Sequence, residues 1–428
     1  MPLPANTLMT DIFELHKQIP ETAPANFCIA PFQSIRQNPI GRNSPCAFGA
    51  GEWHHGHLTP QQRWNSTELN QLRQEFIDNK RPAACHRCWA EEDAGKQSLR
   101  QRQSQYFPND YDNFIRTGRW LQGPKSAVFK VSNVCNLACR SCGGWDTNTY
   151  TKEGEYYQNK YNTKVGDLSH NRFTPLNPPK HMDFSQYYYI ADNLEKIDFF
   201  GGEPFLNISQ LDLLEYLTQR DMSKHITLYY STNATNYPTE RLKRVWNQFK
   251  RVEVAMSIDG TEQEFEYLRW PGEWDKTLGV IDHIQSLKHT LACEVYTMVS
   301  ITVSVMNVWN IDNLIEWSHN KIGPFAHYIN MVQSPDYLAL HILPENIKQV
   351  LLDRIKTDEV RGYLQLKPHD PVLFNQFIIW MKRQDEYREQ KFEQAFPEYF
   401  ELLKPYWDQV QDLSEQNFYR QIPITHVK

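Results

Sequence analysis

Three cysteines are concentrated in the segment VCNLACRSCGG, residues 134–144, at Cys135, Cys139 and Cys142. The run has the form C-x3-C-x2-C, which supplies one thiolate too few for a closed four-thiolate zinc site. Three thiolates on one loop can instead hold three irons of a cubane cluster and leave the fourth iron open for chemistry. A partial zinc site completed by a distant histidine, or accidental crowding, is the alternative interpretation of this spacing.

The run AVFKVSN, residues 127–133, is rich in β-branched and aromatic residues and predicts a buried strand just before the cysteines. The cysteine loop would then lie at the C-terminal end of a strand, which is the active face of βα barrels. With these neighbours, VSNVCNLACRSCGG resembles the cluster loop of the radical S-adenosylmethionine (SAM) enzymes. The resemblance implies a [4Fe-4S] cluster held by the three cysteines, with SAM chelating the open iron. Ser141 departs from the family pattern, which usually has an adenine-contacting aromatic residue there.

A glycine pair follows the next predicted strand, in EKIDFFGGEP at residues 195–204. Gly201 and Gly202 lack side chains, so the backbone can approach a ligand closely. The segment resembles the glycine-rich motif of the radical SAM family, whose backbone and glutamate contact the SAM amino group. The resemblance gives Glu203 that role. GGEP is also a common turn sequence that needs no ligand.

Two more predicted strands, 225–235 and 251–260, end in polar side chains that could bind a ribose or a carboxylate. By the resemblance, the SAM contacts at these ends are Ser231, Thr232, Asn233, Ser257 and Asp259. Asn and Asp in turns also occur without any ligand.

Strand and helix patterns alternate through the middle of the chain and predict an α/β fold. The remaining strand-like runs are 296–307 and 325–335, and the helical stretches are 207–221, 237–249, 275–289 and 309–320. Six strand–helix repeats indicate a parallel sheet curled into a partial (β/α)6 TIM-like barrel, open on one side for a substrate. The proline-containing segment 161–183 is predicted to be an insertion beside the active face.

Four further cysteines lie in front of the predicted barrel, at Cys28, Cys46, Cys85 and Cys88. The spacing C-x12-G-x4-C from Cys28 to Cys46, with Gly41 at a hairpin turn, resembles the opening of SPASM and twitch modules. That resemblance implies a second, auxiliary [4Fe-4S] cluster. Zinc is the alternative, because two pairs of thiolates also make a common structural zinc site. Cys293 is predicted to be a buried core residue.

The predicted domains are a twitch-like N-terminal module at 1–120, the radical SAM barrel at 121–335 and a helical C-terminal region at 336–428. A helix before Cys85 is predicted from Ser66 as its cap and from Leu69, Leu72 and Phe76 on one face. The aromatic-rich run FPEYFELLKPYW in the C-terminal region is predicted to be core packing of a helical cap, with capping of the open barrel or docking of a substrate as the alternatives.

The bulk composition excludes several functional classes. The chain has 45 Lys and Arg residues against 51 Asp and Glu residues, for a formal net charge of −6. This balance gives no sign of the basic surface that nucleic acid requires, so nucleic acid is not an expected partner. Neither a signal-peptide pattern nor a long apolar run is present, which predicts a cytoplasmic protein without a membrane partner. Clustered cysteines then indicate metal more than disulfides.

The predicted function is reductive cleavage of SAM, followed by removal of a hydrogen atom from a substrate. The resemblance to SPASM and twitch enzymes favours a peptide or protein side chain, with a small molecule as the other substrate class, and a reductant such as flavodoxin or ferredoxin. The same chemistry on a nucleotide, nucleic acid or carbohydrate is the alternative. A non-enzymatic electron-transfer or structural metal protein, in which GGEP, STN and SID are only turns, is the third possibility.

Overall fold

The computed structural model describes residues 22–37, 43–46, 58–93, 97–106, 110–112, 123–144, 146–161, 182–332 and 334–410. Within these ranges the strands are β1 (Ser34–Gln37), β2 (Asn43–Ser44), β3 (Ser126–Lys130), β4 (Lys196–Phe200), β5 (Thr227–Thr232), β6 (Arg251–Ser257), β7 (Glu294–Val303) and β8 (His327–Met331). They form one sheet in the order β2-β1-β3-β4-β5-β6-β7-β8.

The six predicted barrel strands are confirmed as β3 to β8, all parallel to their neighbours. The sheet does not stop at β3, because β1 of the N-terminal region pairs with it in parallel, Ile35 opposite Ala127. The predicted hairpin between Cys28 and Cys46 is present as the antiparallel pair β1–β2. Gly41, its predicted turn residue, lies outside the described residues. The N-terminal region therefore extends the barrel sheet at its first edge.

Helices cover the outer face of the sheet and connect its strands. The first are α1 (Ala30–Gln33), α2 (Pro60–Trp64), α3 (Thr67–Ile77), α4 (His86–Asp93) and α5 (Leu99–Tyr106). The barrel helices are α6 (Tyr150–Tyr161), α7 (Gln210–Gln219), α8 (Glu240–Trp246), α9 (Glu262–Leu268), α10 (Trp274–Thr290) and α11 (Ile311–Lys321). The C-terminal helices are α12 (Glu345–Arg354), α13 (Asp358–Leu364), α14 (Pro371–Arg388), α15 (Phe392–Ala395) and α16 (Pro397–Trp407).

Helix α3 has the predicted cap and buried face. The Ser66 hydroxyl accepts a hydrogen bond from the Leu69 amide at 3.3 Å, which satisfies one of the free donors of the first turn. Leu69, Leu72 and Phe76 are all buried. The helix thereby packs its apolar face into the protein and leads the chain toward Cys85.

The strands alternate between the helix-packed face and the inner face of the sheet. On the outer face, Phe199 of β4 stacks on Tyr230 of β5 with ring centroids 5.2 Å apart, and the Trp246 indole donates to the Tyr230 hydroxyl at 3.1 Å. On the inner face, the hydroxyls of Tyr229 on β5 and Tyr328 on β8 lie 2.8 Å apart. Since β5 and β8 are not neighbours in the sheet, this contact requires the sheet to curl into a partial barrel.

The predicted helical character of the C-terminal region is confirmed for its described part, and FPEYFELLKPYW contains the whole of α16 with Phe396 as its N-cap. Most of the predicted insertion at 161–183 lies outside the described residues. Cys293 is buried at the start of β7, as predicted. Within the described ranges, none of the helices combines the length and apolar character that a membrane crossing requires.

Candidate active site

The cysteine loop begins immediately after β3, at the C-terminal edge of the sheet. Its turn is closed by the Cys142 amide, which donates to the Cys139 carbonyl at 2.9 Å. The Cys135 sulfur accepts a hydrogen bond from the Leu137 amide at 3.4 Å, and the Cys139 and Cys142 thiols hydrogen-bond to each other. The loop therefore brings the three thiols together on one side of the barrel mouth.

Charges around the loop favour a thiolate at Cys139. A hydrogen bond from Cys142 and the guanidinium of Arg269 lower the pKa of Cys139, and the same hydrogen bond raises that of Cys142. The Arg269 Nη1 atom lies 3.7 Å from the Cys139 sulfur. Burial raises the pKa of Cys135 to about 12. Because thiolates are the metal-binding form of cysteine, Arg269 helps to prepare Cys139 as a ligand.

The segment after α9 holds the cysteine loop from one side. The amides of Ala138 and Arg140 donate to the carbonyls of Trp270 and Leu268, each at 2.7 Å. Between these two contacts, Arg269 forms an ion pair with Asp259, Nη2 to Oδ2 at 2.7 Å. Burial raises the pKa of Asp259, although Arg269 opposes this. The carboxylate that the sequence assigned to SAM is thus bound to Arg269 and, at 2.8 Å, to the Thr302 amide.

The glycine pair packs directly against the cysteine loop. Gly201 and Gly202 have φ angles of +83° and +57°, a region that side chains disfavour. A Cβ atom at Gly202 would lie 2.3 Å from the Val134 carbonyl oxygen, and one at Gly201 would lie 2.0 Å from Lys130 Cγ. The Glu203 amide donates to the Val134 carbonyl at 2.8 Å. The close approach that Gly202 permits is therefore to the cysteine loop itself, and the one that Gly201 permits is to the end of β3.

Glu203 is completely buried and binds the end of β5. Its Oε1 atom accepts hydrogen bonds from the Phe205 amide at 3.0 Å and the Thr232 hydroxyl at 2.8 Å. Its Oε2 atom accepts from the Asn233 amide at 2.7 Å. Burial raises the pKa of Glu203 to about 7, against the opposing effect of these donors. The carboxylate ties the β4 loop to the end of β5, each of which carries three predicted SAM contacts.

The amide of Asn233 joins the β5 end to the cysteine loop. Its Nδ2 atom donates to Asn136 Oδ1 at 3.0 Å and lies 3.6 Å from the Cys135 sulfur. Asn136 in turn donates to the Thr235 hydroxyl at 2.8 Å. Of the other predicted contacts, Ser231 and Ser257 are half-buried near the ends of β5 and β6. All the strand ends that the sequence assigned to SAM therefore converge around the cysteine loop.

Helix α14 of the C-terminal region supports the back of the cysteine loop. Arg140, fully buried between Cys139 and Cys142, binds Asp385 through Nη2 and Oδ1 at 2.7 Å and donates to the Tyr267 carbonyl at 2.9 Å. The Tyr150 hydroxyl donates to the Cys139 carbonyl at 2.5 Å. Arg388 adds a second buried ion pair, with Glu153 at 2.8 Å.

The four N-terminal cysteines line one small cavity between the β1–β2 hairpin and helices α3 to α5. Burial, with the nearby thiols of Cys46 and Cys88, raises the pKa of Cys85 to about 12. Burial and Cys46 also raise the pKa of Cys28. Within the described ranges, no three His, Cys, Asp or Glu side chains converge closely enough to chelate a single metal ion. The donor set nevertheless has the four thiols that an auxiliary cluster or a zinc ion requires.

Sequence reasoning missed Arg269, Arg140 and Asp385 as site residues, whereas Asp259, the partner of Arg269, was predicted as a SAM contact. Arg269 stands in the aromatic segment YLRWPG, and a charged residue among apolar neighbours was the only available signal. Arg140 lies inside the cysteine motif, but its partner Asp385 is 245 residues away. No local pattern connects such residues.

The model of the Radical SAM superfamily matches residues 129–316, which span the cysteine loop and the strands β4 to β7. Residues 129–316 belong to the radical SAM superfamily. Membership implies a [4Fe-4S] cluster and SAM, and the loop offers the three thiols that such a cluster uses.

Several known proteins are similar to this chain. An uncharacterised protein of Methanocaldococcus jannaschii is 29% identical over 152 residues, 33% of this chain and 41% of that protein. The structure described as native anSMEcpe with bound AdoMet is 16% identical with a TM-score of 0.35, over 60% of this chain and 66% of that one. Streptococcus suis SuiB bound to S-adenosylmethionine is 12% identical with a TM-score of 0.34, over 88% and 75%. The chain thus spans about two fifths of the curated relative it matches.

Proposed function

We propose that the protein reductively cleaves SAM at a [4Fe-4S] cluster held by Cys135, Cys139 and Cys142. The observation that carries this proposal is the convergence of the cysteine loop with the ends of β4, β5 and β6 at one edge of the sheet. SAM bound there would be cleaved by one electron from the reduced cluster into methionine and a 5′-deoxyadenosyl radical, which would take a hydrogen atom from the substrate.

The residues of this chain position the groups and exclude water. Gly202 and Glu203 fix the β4 loop against Val134, and Asn233 fixes the β5 end against Asn136. The half-buried Ser231 and Ser257 at the strand ends remain for SAM. Arg269 places a positive charge beside Cys139. Loops fixed in this way hold a bound ligand in one orientation, which lowers the entropy loss needed to reach the reactive geometry.

We further propose that the N-terminal module, residues 1–120, holds an auxiliary [4Fe-4S] cluster at Cys28, Cys46, Cys85 and Cys88. The resemblance to SPASM and twitch modules supports a peptide or protein side chain as the substrate. The near balance of acidic and basic residues does not favour nucleic acid as the substrate. A small electron carrier such as flavodoxin or ferredoxin would supply the reducing electron.

The deciding experiment measures 5′-deoxyadenosine formed by anaerobically reconstituted protein from SAM and a strong reductant. Cys139→Ala is the test variant, and Cys293→Ala is the matched control because Cys293 is buried at the opposite end of the sheet, next to the first residue of β7. We expect product from the wild type and the control and none from Cys139→Ala. An absence of product from iron-replete wild type would favour the electron-transfer or structural-metal alternative.

A further inference from the structure

A second cavity, of about 360 Å³, lies between the N-terminal module and the end of the barrel sheet. Arg87, Ala90 and Glu91 of α4 form one wall. Met331 and Val332, at the C-terminal end of β8, belong to another wall. We call this cavity the seam pocket. Its volume falls in the range of pockets that hold small molecules or side chains.

The seam pocket adjoins the four-cysteine cavity. Arg87, between Cys85 and Cys88, lines both spaces. Because the C-terminal ends of parallel strands share one edge of a sheet, Met331 lies at the same edge as the cysteine loop. A ligand in the seam pocket would therefore lie beside the auxiliary site, at the open side of the barrel.

The chemistry of the walls indicates which ligand the seam pocket accepts. The Glu91 Oε2 atom is buried and has no hydrogen-bond partner among the described residues. A buried carboxylate oxygen that accepts no hydrogen bond raises the free energy of the folded protein. The site therefore favours a ligand that carries a hydrogen-bond donor. Met331, Ala339 and Leu340 provide an apolar lining, and the carboxylate of Asp336 adds a second acidic group. Lysine side chains combine an apolar stem with a cationic tip in this way.

We propose that the seam pocket binds a basic side chain of the substrate polypeptide, with its ammonium group toward Glu91 and its methylene stem along Met331 and Leu340. The proposal rests on the proposed function, because it assigns the substrate class of that enzyme. Arg87 and Lys367, which also line the pocket, repel positive charge. The pocket therefore favours a ligand with one positive charge over a ligand with several.

The test uses the anaerobically reconstituted full chain and the probe N-acetyl-L-lysine N-methylamide, followed by calorimetry and ligand-observed NMR. N-acetyl-L-norleucine N-methylamide is the matched probe, because it lacks only the ammonium group. Glu91→Gln removes the charge, and Leu366→Trp fills the pocket from a partly exposed position. Glu401→Gln and Val372→Trp are the matched controls outside the pocket.

We expect the lysine probe to bind more tightly than the norleucine probe, and Glu91→Gln to weaken it about ten-fold or more. Leu366→Trp should abolish binding, and the two controls should retain it. Equal binding of both probes, no binding to the wild type, or undiminished binding to Glu91→Gln would overturn the proposal. Wild-type 5′-deoxyadenosine formation is measured on the same samples. If the lysine probe binds but no 5′-deoxyadenosine is formed, the result would contradict the proposed function and would still support the seam pocket as a binding site.

Discussion

Arg140 and Asp385 form an ion pair, Nη2 to Oδ1 at 2.7 Å, that joins the centre of the cysteine loop to helix α14. The Arg140 side chain is fully buried, and Asp385 is 14% exposed. The guanidinium also lies 3.6 Å from the centroid of the Tyr267 ring. The C-terminal region is therefore part of the support of the candidate site, in addition to its packing over the barrel.

Asp385→Asn should lower the free energy of unfolding by about 3 kcal/mol, because it leaves the buried Arg140 charge without its counter-ion. The adjacent Glu386→Gln is the control, since Glu386 pairs with Lys160 at an exposed position where such a pair contributes less than about 1 kcal/mol. Urea unfolding of the anaerobically purified variants gives both values. Equal losses in the two variants would show that the Arg140 contact does not fix the loop.

Gly202→Ala should destabilise the protein by more than about 1 kcal/mol and lower its iron content, because φ at this position is +57° and the added Cβ would meet the Val134 carbonyl. Gly362→Ala is the matched control. Gly362 lies in helix α13, and a Cβ there would meet nothing within 4 Å. It should keep its iron and gain up to about 1 kcal/mol in stability. Iron analysis beside urea unfolding tests both, and normal iron in Gly202→Ala would contradict the assignment.

The local patterns of the sequence were sufficient for the barrel and for the positions of its loops. All six strands and four of the six barrel helices, α7, α8, α10 and α11, could be located, because each has a clear apolar periodicity, whereas α6 and α9 were not predicted. The parallel pairing of β1 with β3 could not, since a four-residue strand carries little signal and its partner lies about ninety residues away. The six strand–helix repeats predicted that the sheet curls, but they could not show that Tyr229 and Tyr328 meet across it.

The candidate site shows the same division between local and long-range information. The sequence located Glu203 and Asp259 at strand ends, but it could not show that Thr232 and Arg269 are their partners. Those partners depend on how the loops fold over one another. The predicted SAM contacts therefore remain predictions, while their role in joining the loops is visible in the structure.

Glu203 should give the folded protein a measurable dependence on pH. Burial raises its pKa from the ordinary 4.5 to about 7, so the folded state holds this proton more tightly than the unfolded state does. The resulting stabilisation is complete below pH 4.5 and is lost as the pH rises through about 7, a change of about 3 kcal/mol.

Urea unfolding at several pH values between 5 and 8 measures this dependence. Glu203→Gln should lower stability at every pH, since the Asn233 amide loses its acceptor, and it should flatten the slope by the Glu203 contribution. The exposed Glu401→Gln should keep the wild-type slope. An unchanged slope in Glu203→Gln would mean that another group, such as Glu264 with its raised pKa, accounts for the whole dependence.

Metal content distinguishes the two interpretations of the four-cysteine cavity. If an auxiliary cluster is bound there, Cys88→Ala should lower the iron content by about four atoms per chain and leave the Cys135, Cys139 and Cys142 cluster in place. If zinc is bound, the same variant should lose about one zinc per chain and no iron. Cys293→Ala is the control for the loss of a buried thiol.

The measurement is metal analysis after anaerobic purification, together with the absorbance of the clusters. We expect the iron loss of Cys88→Ala and that of Cys139→Ala to be of similar size and additive in the double variant, because each removes a ligand from a separate site. Removal of the N-terminal metal should also destabilise the module, since the four thiols that line this cavity would lose the cation that binds them, and burial already raises the pKa of three of them, Cys28, Cys85 and Cys88. An unchanged metal content in Cys88→Ala would remove the basis for any metal in this module.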